Sequence, residues 1–173
     1  GGSQGALSLN RAVPAALALL DADVRPLVRH QCGERTVLAA KEAYEQNKVN
    51  VELLPYIENM ADVYSWADLV VCRAGALTVA ELCAAGLPAL FVPYPAAVDD
   101  HQTANAGSMA AAGAATIIQE TDLTPALLAG LLREWLQSRV SLLQKAEKAR
   151  ALAQPDSLQR ITRMCLEQAG AIA

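Results

Sequence analysis

Aromatic rings are scarce in this chain: Phe, Trp and Tyr together supply 4% of its residues, with a single Phe and two Trp. Alanine and leucine dominate instead, a composition that favours helices and close packing of helices on a sheet. Positive charge is not in excess. Lys and Arg number 14 against 18 Asp and Glu, for a formal net charge of −4, so no bulk basic field invites nucleic acid. No apolar run is long enough to span a membrane, and no signal peptide opens the chain. Cysteine is sparse and scattered. Cys32, Cys72, Cys83 and Cys165 contain no C-x-x-C pair, which argues against a metal site or a disulfide framework and for reduced thiols in a cytosolic protein. Internal repeats and low-complexity linkers are absent as well.

What is present is a chain of 173 residues, 53% hydrophobic, long enough for one domain with a sizeable core. It is organised around Leu69–Asn105. Leu69–Cys72 and Ala89–Val92 are short apolar runs bounded by turn residues, the pattern of buried parallel strands. Between them Thr78–Ala85 reads as a helix stopped by Gly86, with Pro88 just beyond. In such a β-loop-α-β-loop unit ligands collect at the carboxyl ends of the strands, here the loops Arg73–Gly75 and Pro93–Asn105.

The remaining elements alternate regularly. A glycine-rich turn, Gly1–Ala6, opens a helix carrying Leu7, Leu9, Val13, Ala16, Leu17 and Leu20, with Pro14 predicting a bend or a late start. Such a turn normally follows a strand, so the first strand is expected upstream of Gly1. Strands are predicted at 25–31, 49–54 and 115–118. Helices are predicted at 34–47, 57–66, 101–112, 124–137, 141–153 and 156–169, with Thr124 as an N-cap before Pro125. Strands alternating with helices predict an α/β fold, a Rossmann-like doubly wound parallel sheet.

The Gly1–Ala6 turn places backbone N–H groups at a helix start, an arrangement that binds phosphate; an ordinary tight turn is the alternative. It is neither G-x-G-x-x-G nor a Walker loop, so a dinucleotide fingerprint is unsupported. A second glycine turn at Arg73–Ala76 strengthens the phosphate reading, since two helix starts facing one cleft suit a diphosphate without lysines or a metal. Thr78-Val79-Ala80-Glu81 fits a capping box, while the rival reading gives Glu81 to the paired hydroxyls of a ribose. Arg73 is either a surface ion pair or a neighbour of a nucleotide. Asp99-Asp100 reads as a solvated acidic loop, because no further metal ligand is placed nearby. His30 reads as a strand-end histidine without a special role. His101, Gln102 and Asn105 either solvate the start of their helix or hydrogen-bond sugar hydroxyls.

Four segments together carry a family resemblance. They are Gly-Gly-Ser-Gln-Gly-Ala at 1–6, Tyr-Ile-Glu-Asn-Met at 56–60, Cys-Arg-Ala-Gly-Ala-Leu-Thr-Val-Ala-Glu at 72–81 and Pro-Tyr-Pro-Ala-Ala-Val-Asp-Asp-His-Gln-Thr-Ala-Asn-Ala at 93–106. In this order they resemble the MurG family, the UDP-N-acetylglucosamine:undecaprenyl-pyrophosphoryl-muramoyl-pentapeptide N-acetylglucosaminyltransferases, over the C-terminal half of those enzymes. Ala74 stands where a serine is frequent.

The resemblance implies the donor-binding C-terminal domain of a two-domain GT-B glycosyltransferase. It implies that Ser3, Gln4 and Gly5 contact the donor diphosphate and that Ile57 holds uracil through its backbone. Arg73, Gly75, Ala76, Leu77, Thr78, Val79, Ala80 and Glu81 would line the nucleotide-sugar, with Glu81 on the ribose. Gln102 and Asn105 would read the N-acetylglucosamine hydroxyls. It further implies transfer from UDP-GlcNAc to lipid I with inversion, giving lipid II in peptidoglycan synthesis, with no metal or cofactor. Lipid I would be held by an N-terminal domain that also carries the general base, on the cytoplasmic face of the bacterial inner membrane. The alternatives are another UDP-sugar transferase, half of a UDP-GlcNAc 2-epimerase, or a nucleotide-sugar binding module without turnover.

Overall fold

A computed structural model describes residues 6–169. Helices α1 (Leu7–Ala18), α2 (Val37–Gln46), α3 (Met60–Trp66), α4 (Ala76–Ala85) and α5 (His101–Ala111) alternate with strands β1 (Arg29–Gln31), β2 (Glu52–Leu54), β3 (Val70–Cys72), β4 (Ala89–Phe91) and β5 (Ala115–Ile117). Helices α6 (Pro125–Leu136), α7 (Arg139–Ala151) and α8 (Ser157–Gln168) follow. Every strand pairing among the described residues is parallel. Arg29 lies opposite Glu52, and Val71, Leu90 and Thr116 stand abreast in the order β3-β4-β5. Among the described residues the strands form two pieces, β1-β2 and β3-β4-β5.

The doubly wound character follows from the period-2 alternation of β4. Leu90 and Val92 face one core cluster with Leu9 and Leu17 of α1 and Leu128, Leu132 and Trp135 of α6. Ala89 and Phe91 face the other, with Val79 and Leu82 of α4, Met109 of α5 and Ala149 of α7. A strand buried on both faces is an unbroken apolar run, which is why Ala89–Val92 was readable as one.

Most helix ends have a local cause. Thr124 Oγ1 accepts from Leu127 N at 3.1 Å, with Pro125 at the first helical position, as expected. Helix α4 ends at Gly86, whose φ of +70° allows Leu87 N to reach Leu82 O at 2.9 Å and Gly86 N to reach Cys83 O at 3.1 Å. Elsewhere the predicted bounds shift. Helix α7 starts at Arg139 because Ser138 caps it, accepting from Ser141 N at 3.2 Å. Helix α3 starts at Met60 rather than Ile57, because Asn59 caps it, accepting from Asp62 N at 3.3 Å. Helix α1 begins at Leu7 and continues through Pro14. One missing N–H is offset by a buried face of Leu9, Ala12, Ala16 and Leu17. Strand β1 is confined to Arg29–Gln31, since Pro26 has no N–H for a ladder, although Val28 O accepts from Glu52 N at 3.0 Å.

Candidate functional site

The loops at the carboxyl ends of β3, β4 and β5 are laced to one another. Arg73, the first residue after β3, donates from Nη1 to Val92 O at 3.0 Å and to Pro93 O at 2.8 Å, past the end of β4. Its Nη2 donates to Ser8 Oγ on α1 at 3.1 Å and forms an ion pair with Glu120 Oε2, just after β5. Ser8 Oγ donates to the same Glu120 oxygen at 2.7 Å. The Arg73 guanidinium carbon lies 5.5 Å from the Tyr94 ring centroid. Burial works to raise the Glu120 carboxyl, but the Ser8 hydroxyl and the Arg73 guanidinium outweigh it and hold the group below its usual range. Arg73 is thus an ion pair, though one with only 15% of its side chain exposed.

The lacing also runs the other way. Gln102 Oε1 accepts from Ala74 N at 3.2 Å and from Tyr94 N at 3.0 Å, and Asn105 Nδ2 donates to Ala74 O at 3.1 Å. Both backbone groups of Ala74, itself fully buried, are therefore held by the first turns of α5. The connecting loop passes Asp99 and Asp100 at φ of 51° and 50°, the left-handed region, and Thr103 Oγ1 donates to Asp100 Oδ1 at 2.7 Å.

Ala74 leads directly into α4. Gly75 is the N-cap residue, with no side-chain cap, and Val79 N bonds Gly75 O at 2.9 Å. The helix starts two residues before the expected Thr78, so Thr78 sits inside the first turn and the capping box does not form. Uncapped N–H groups of the first turn, with the helix dipole behind them, make this end an anion-attracting surface. Ala76 and Leu77 stand exposed there, Leu77 at 80%, while Val79 turns into the core and Ala80 faces out. Glu81, on the next turn, is exposed and accepts from the Tyr64 hydroxyl on α3 at 2.9 Å. Ile57 is buried in the loop between β2 and α3.

The fold therefore gathers Arg73, Gln102 and Asn105 around the loop that leads into α4, with Gly75–Glu81 at and after the start of that helix, while Ile57 stands in the loop before α3, whose Tyr64 reaches Glu81. Ser3, Gln4 and Gly5 lie outside the described residues. Three participants escaped the sequence reading: Ser8, Glu120 and Tyr64. Glu120 follows the last strand at its carboxyl end, the position rule that singled out Arg73, and could have been found by it. Tyr64 and Ser8 had no such signal. An open depression of about 400 Å³ lies elsewhere, beside Lys41, Lys48 and Asn50 before β2, and holds none of these residues. Among the described residues no group of three or more His, Cys, Asp and Glu is arranged to hold a metal ion, and no helix is long and apolar enough to cross a membrane.

A parallel α/β sheet wound on both faces, with a bare helix start at its carboxyl rim, is the architecture of a doubly wound, Rossmann-like domain. The crystal structure of the glycosyltransferase VinC in complex with dTDP shares that fold, with a TM-score of 0.62 and 23% identity over 89% of this chain and 36% of that one. The chain belongs to the glycosyltransferase family 28 C-terminal domain family, which it matches over residues 1–161. It is 52% identical over 169 residues to the UDP-N-acetylglucosamine--N-acetylmuramyl-(pentapeptide) pyrophosphoryl-undecaprenol N-acetylglucosamine transferase of Marinobacter nauticus, covering 98% of this chain and 47% of that protein. The enzyme of the same name from Alkalilimnicola ehrlichii is 53% identical over 169 residues, with the same coverage. The crystal structure of Acinetobacter baumannii MurG superposes with a TM-score of 0.86 at 47% identity, over 95% of this chain and 47% of that one. The chain spans about half the length of the curated relatives it matches.

Proposed function

We propose that this chain supplies the donor site of an inverting N-acetylglucosaminyltransferase, which moves N-acetylglucosamine from UDP-GlcNAc to lipid I and so forms lipid II. The observation that carries this reading is the bare start of α4, fixed from both sides by Arg73, Gln102 and Asn105, in a chain about half identical to named N-acetylglucosamine transferases. Aimed N–H groups there stabilise a diphosphate without a metal, and Ser3, Gln4 and Gly5 are assigned to the same phosphates. Ile57 offers backbone groups to uracil and Glu81 accepts from the ribose. Gln102 already uses its carbonyl oxygen on the backbone, so its amide N–H groups face the sugar; Asn105 keeps its oxygen as an acceptor.

In transfer, the C4 hydroxyl of the muramoyl sugar attacks the anomeric carbon. The bond from that carbon to the β-phosphate oxygen breaks, UDP departs with the electron pair, and the hydroxyl proton passes to a base outside this chain. The acceptor domain precedes this segment, at the cytoplasmic face of the inner membrane. The β1-β2 and β3-β4-β5 pieces share the core cluster under α1.

Calorimetry with UDP, UDP-GlcNAc, ADP and NAD tests the donor assignment. Uridine ligands should bind at least about tenfold more tightly than the adenine ones. Equal affinity for UDP and ADP would remove the base-recognition role of Ile57 and, with it, the donor reading.

A further inference from the structure

Tyr64 takes no part in the chemistry above, yet its hydroxyl bonds to Glu81. It stands on α3, half-buried, and its hydroxyl reaches across to Glu81 Oε2 on α4 at 2.9 Å. Burial, and next the bond to Glu81, push the phenol well above the ordinary tyrosine range, so it remains an O–H donor at working pH. Glu81 forms no ion pair among the described residues. A carboxylate presents about four lone-pair positions, of which Tyr64 takes one, so the rest can serve two neighbouring hydroxyls. The phenol also fixes which way the carboxylate points. Helix α3 follows directly on the loop that contains Ile57. Asn59 anchors its start, accepting from Asp62 N at 3.3 Å and donating to Asp62 Oδ2 at 2.6 Å. Tyr64 lies about one helical turn beyond that anchor, so only a short span of chain separates Ile57 from the phenol.

We propose that Tyr64 is a positioning residue of the donor site: it aims the Glu81 carboxylate at the ribose diol and couples that contact to the segment holding the base. The proposal rests on the donor-site reading given above. Without the phenol an exposed glutamate is free to sample its rotamers and must be ordered at the moment of binding, a cost that falls on affinity.

The test uses the intact enzyme carrying this segment, with UDP and 2′,3′-dideoxy-UDP as probes. Wild type should prefer UDP by at least about tenfold; absence of that preference would remove the ribose role of Glu81 and the Tyr64 role together. Given the preference, Tyr64→Phe should weaken UDP by roughly three- to tenfold and leave the dideoxy ligand within about twofold. In a Glu81→Gln background the same change should alter UDP affinity by less than about twofold, since no carboxylate remains to be aimed. At saturating donor, kcat of Tyr64→Phe should stay near wild type while the donor KM rises. Equal weakening of both ligands would make Tyr64 a packing residue, and no weakening of either would take it out of the donor site. Each of these overturns the proposal while leaving the Glu81 assignment intact.

Discussion

His30 belongs to a buried set that holds α1, β1 and α2 together. Asn10 Nδ2 donates to Cys32 O at 3.0 Å, which leaves Asn10 Oδ1 as the acceptor for His30 Nε2 at 3.1 Å. Nε2 therefore carries the proton, and Nδ1 accepts from the Tyr44 hydroxyl at 2.8 Å. No sequence pattern marks this set, because three residues on three separate elements meet only once the chain is folded; in the sequence His30 is a strand-end residue without a special role. Burial lowers its pKa from 6.5 to about 4. The unfolded chain thus takes up a proton between pH 6.5 and 4 that the folded chain refuses, and stability falls as pH drops through that window. Above pH 6.5 nothing is lost. At about 1.4 kcal/mol per pH unit the full loss is roughly 3 kcal/mol. Denaturant unfolding at pH 7 and pH 4.5 measures it. His30→Gln should start less stable at pH 7, yet lose less on acidification than wild type. Identical losses would mean that His30 does not titrate across this window.

At the scale of elements, the Arg73–Glu120 pair is the clasp between β3, β4, β5 and α1. The two side chains are 15% and 27% exposed, so removing one partner strands the other with little water to replace it. Arg73→Met should destabilise the domain by about 2–3 kcal/mol, because a carboxylate and two strand-end carbonyls lose their donor. Arg73→Met combined with Glu120→Gln should recover part of that loss, and thermal unfolding of the two variants measures the difference. Equal instability of the single and double variants would show that the ion pair contributes little beyond packing. The elements themselves were legible in the sequence, since apolar runs, Gly86, Pro88 and the Thr124-Pro125 cap each act locally. The start of α4 was not. Thr78 and Glu81 have the spacing of a capping box, but Ala74 is pinned by Gln102 and Asn105, and that tertiary tie puts the cap at Gly75 instead. Asn59 and Ser138 shifted α3 and α7 for a simpler reason: each is a good cap residue outside the apolar pattern used to set the bounds.

For the molecule as a whole, the division of labour follows from what the rim holds and what it does not. Helix starts, amides and one carboxylate can bind a nucleotide-sugar and stabilise departing UDP, but attack by an acceptor hydroxyl needs a base beside that hydroxyl. His30 cannot serve, since both nitrogens of its imidazole are committed to Asn10 and Tyr44. The chain spans 47% of its curated relatives, and the roles proposed above for its motifs are all donor contacts. Donor binding and transfer should therefore separate. The isolated chain should bind UDP yet release no UDP from UDP-GlcNAc when given a lipid I analogue, with a rate at least about a thousandfold below that of the full-length enzyme. A coupled assay for UDP, run beside calorimetry on the same preparation, reads both quantities. Binding without turnover is the expected result. Turnover accompanied by lipid II formation would place the base within these residues, with His101 at the start of α5 the first to substitute. Absence of binding as well as turnover would mean that the donor site needs the rest of the protein to form.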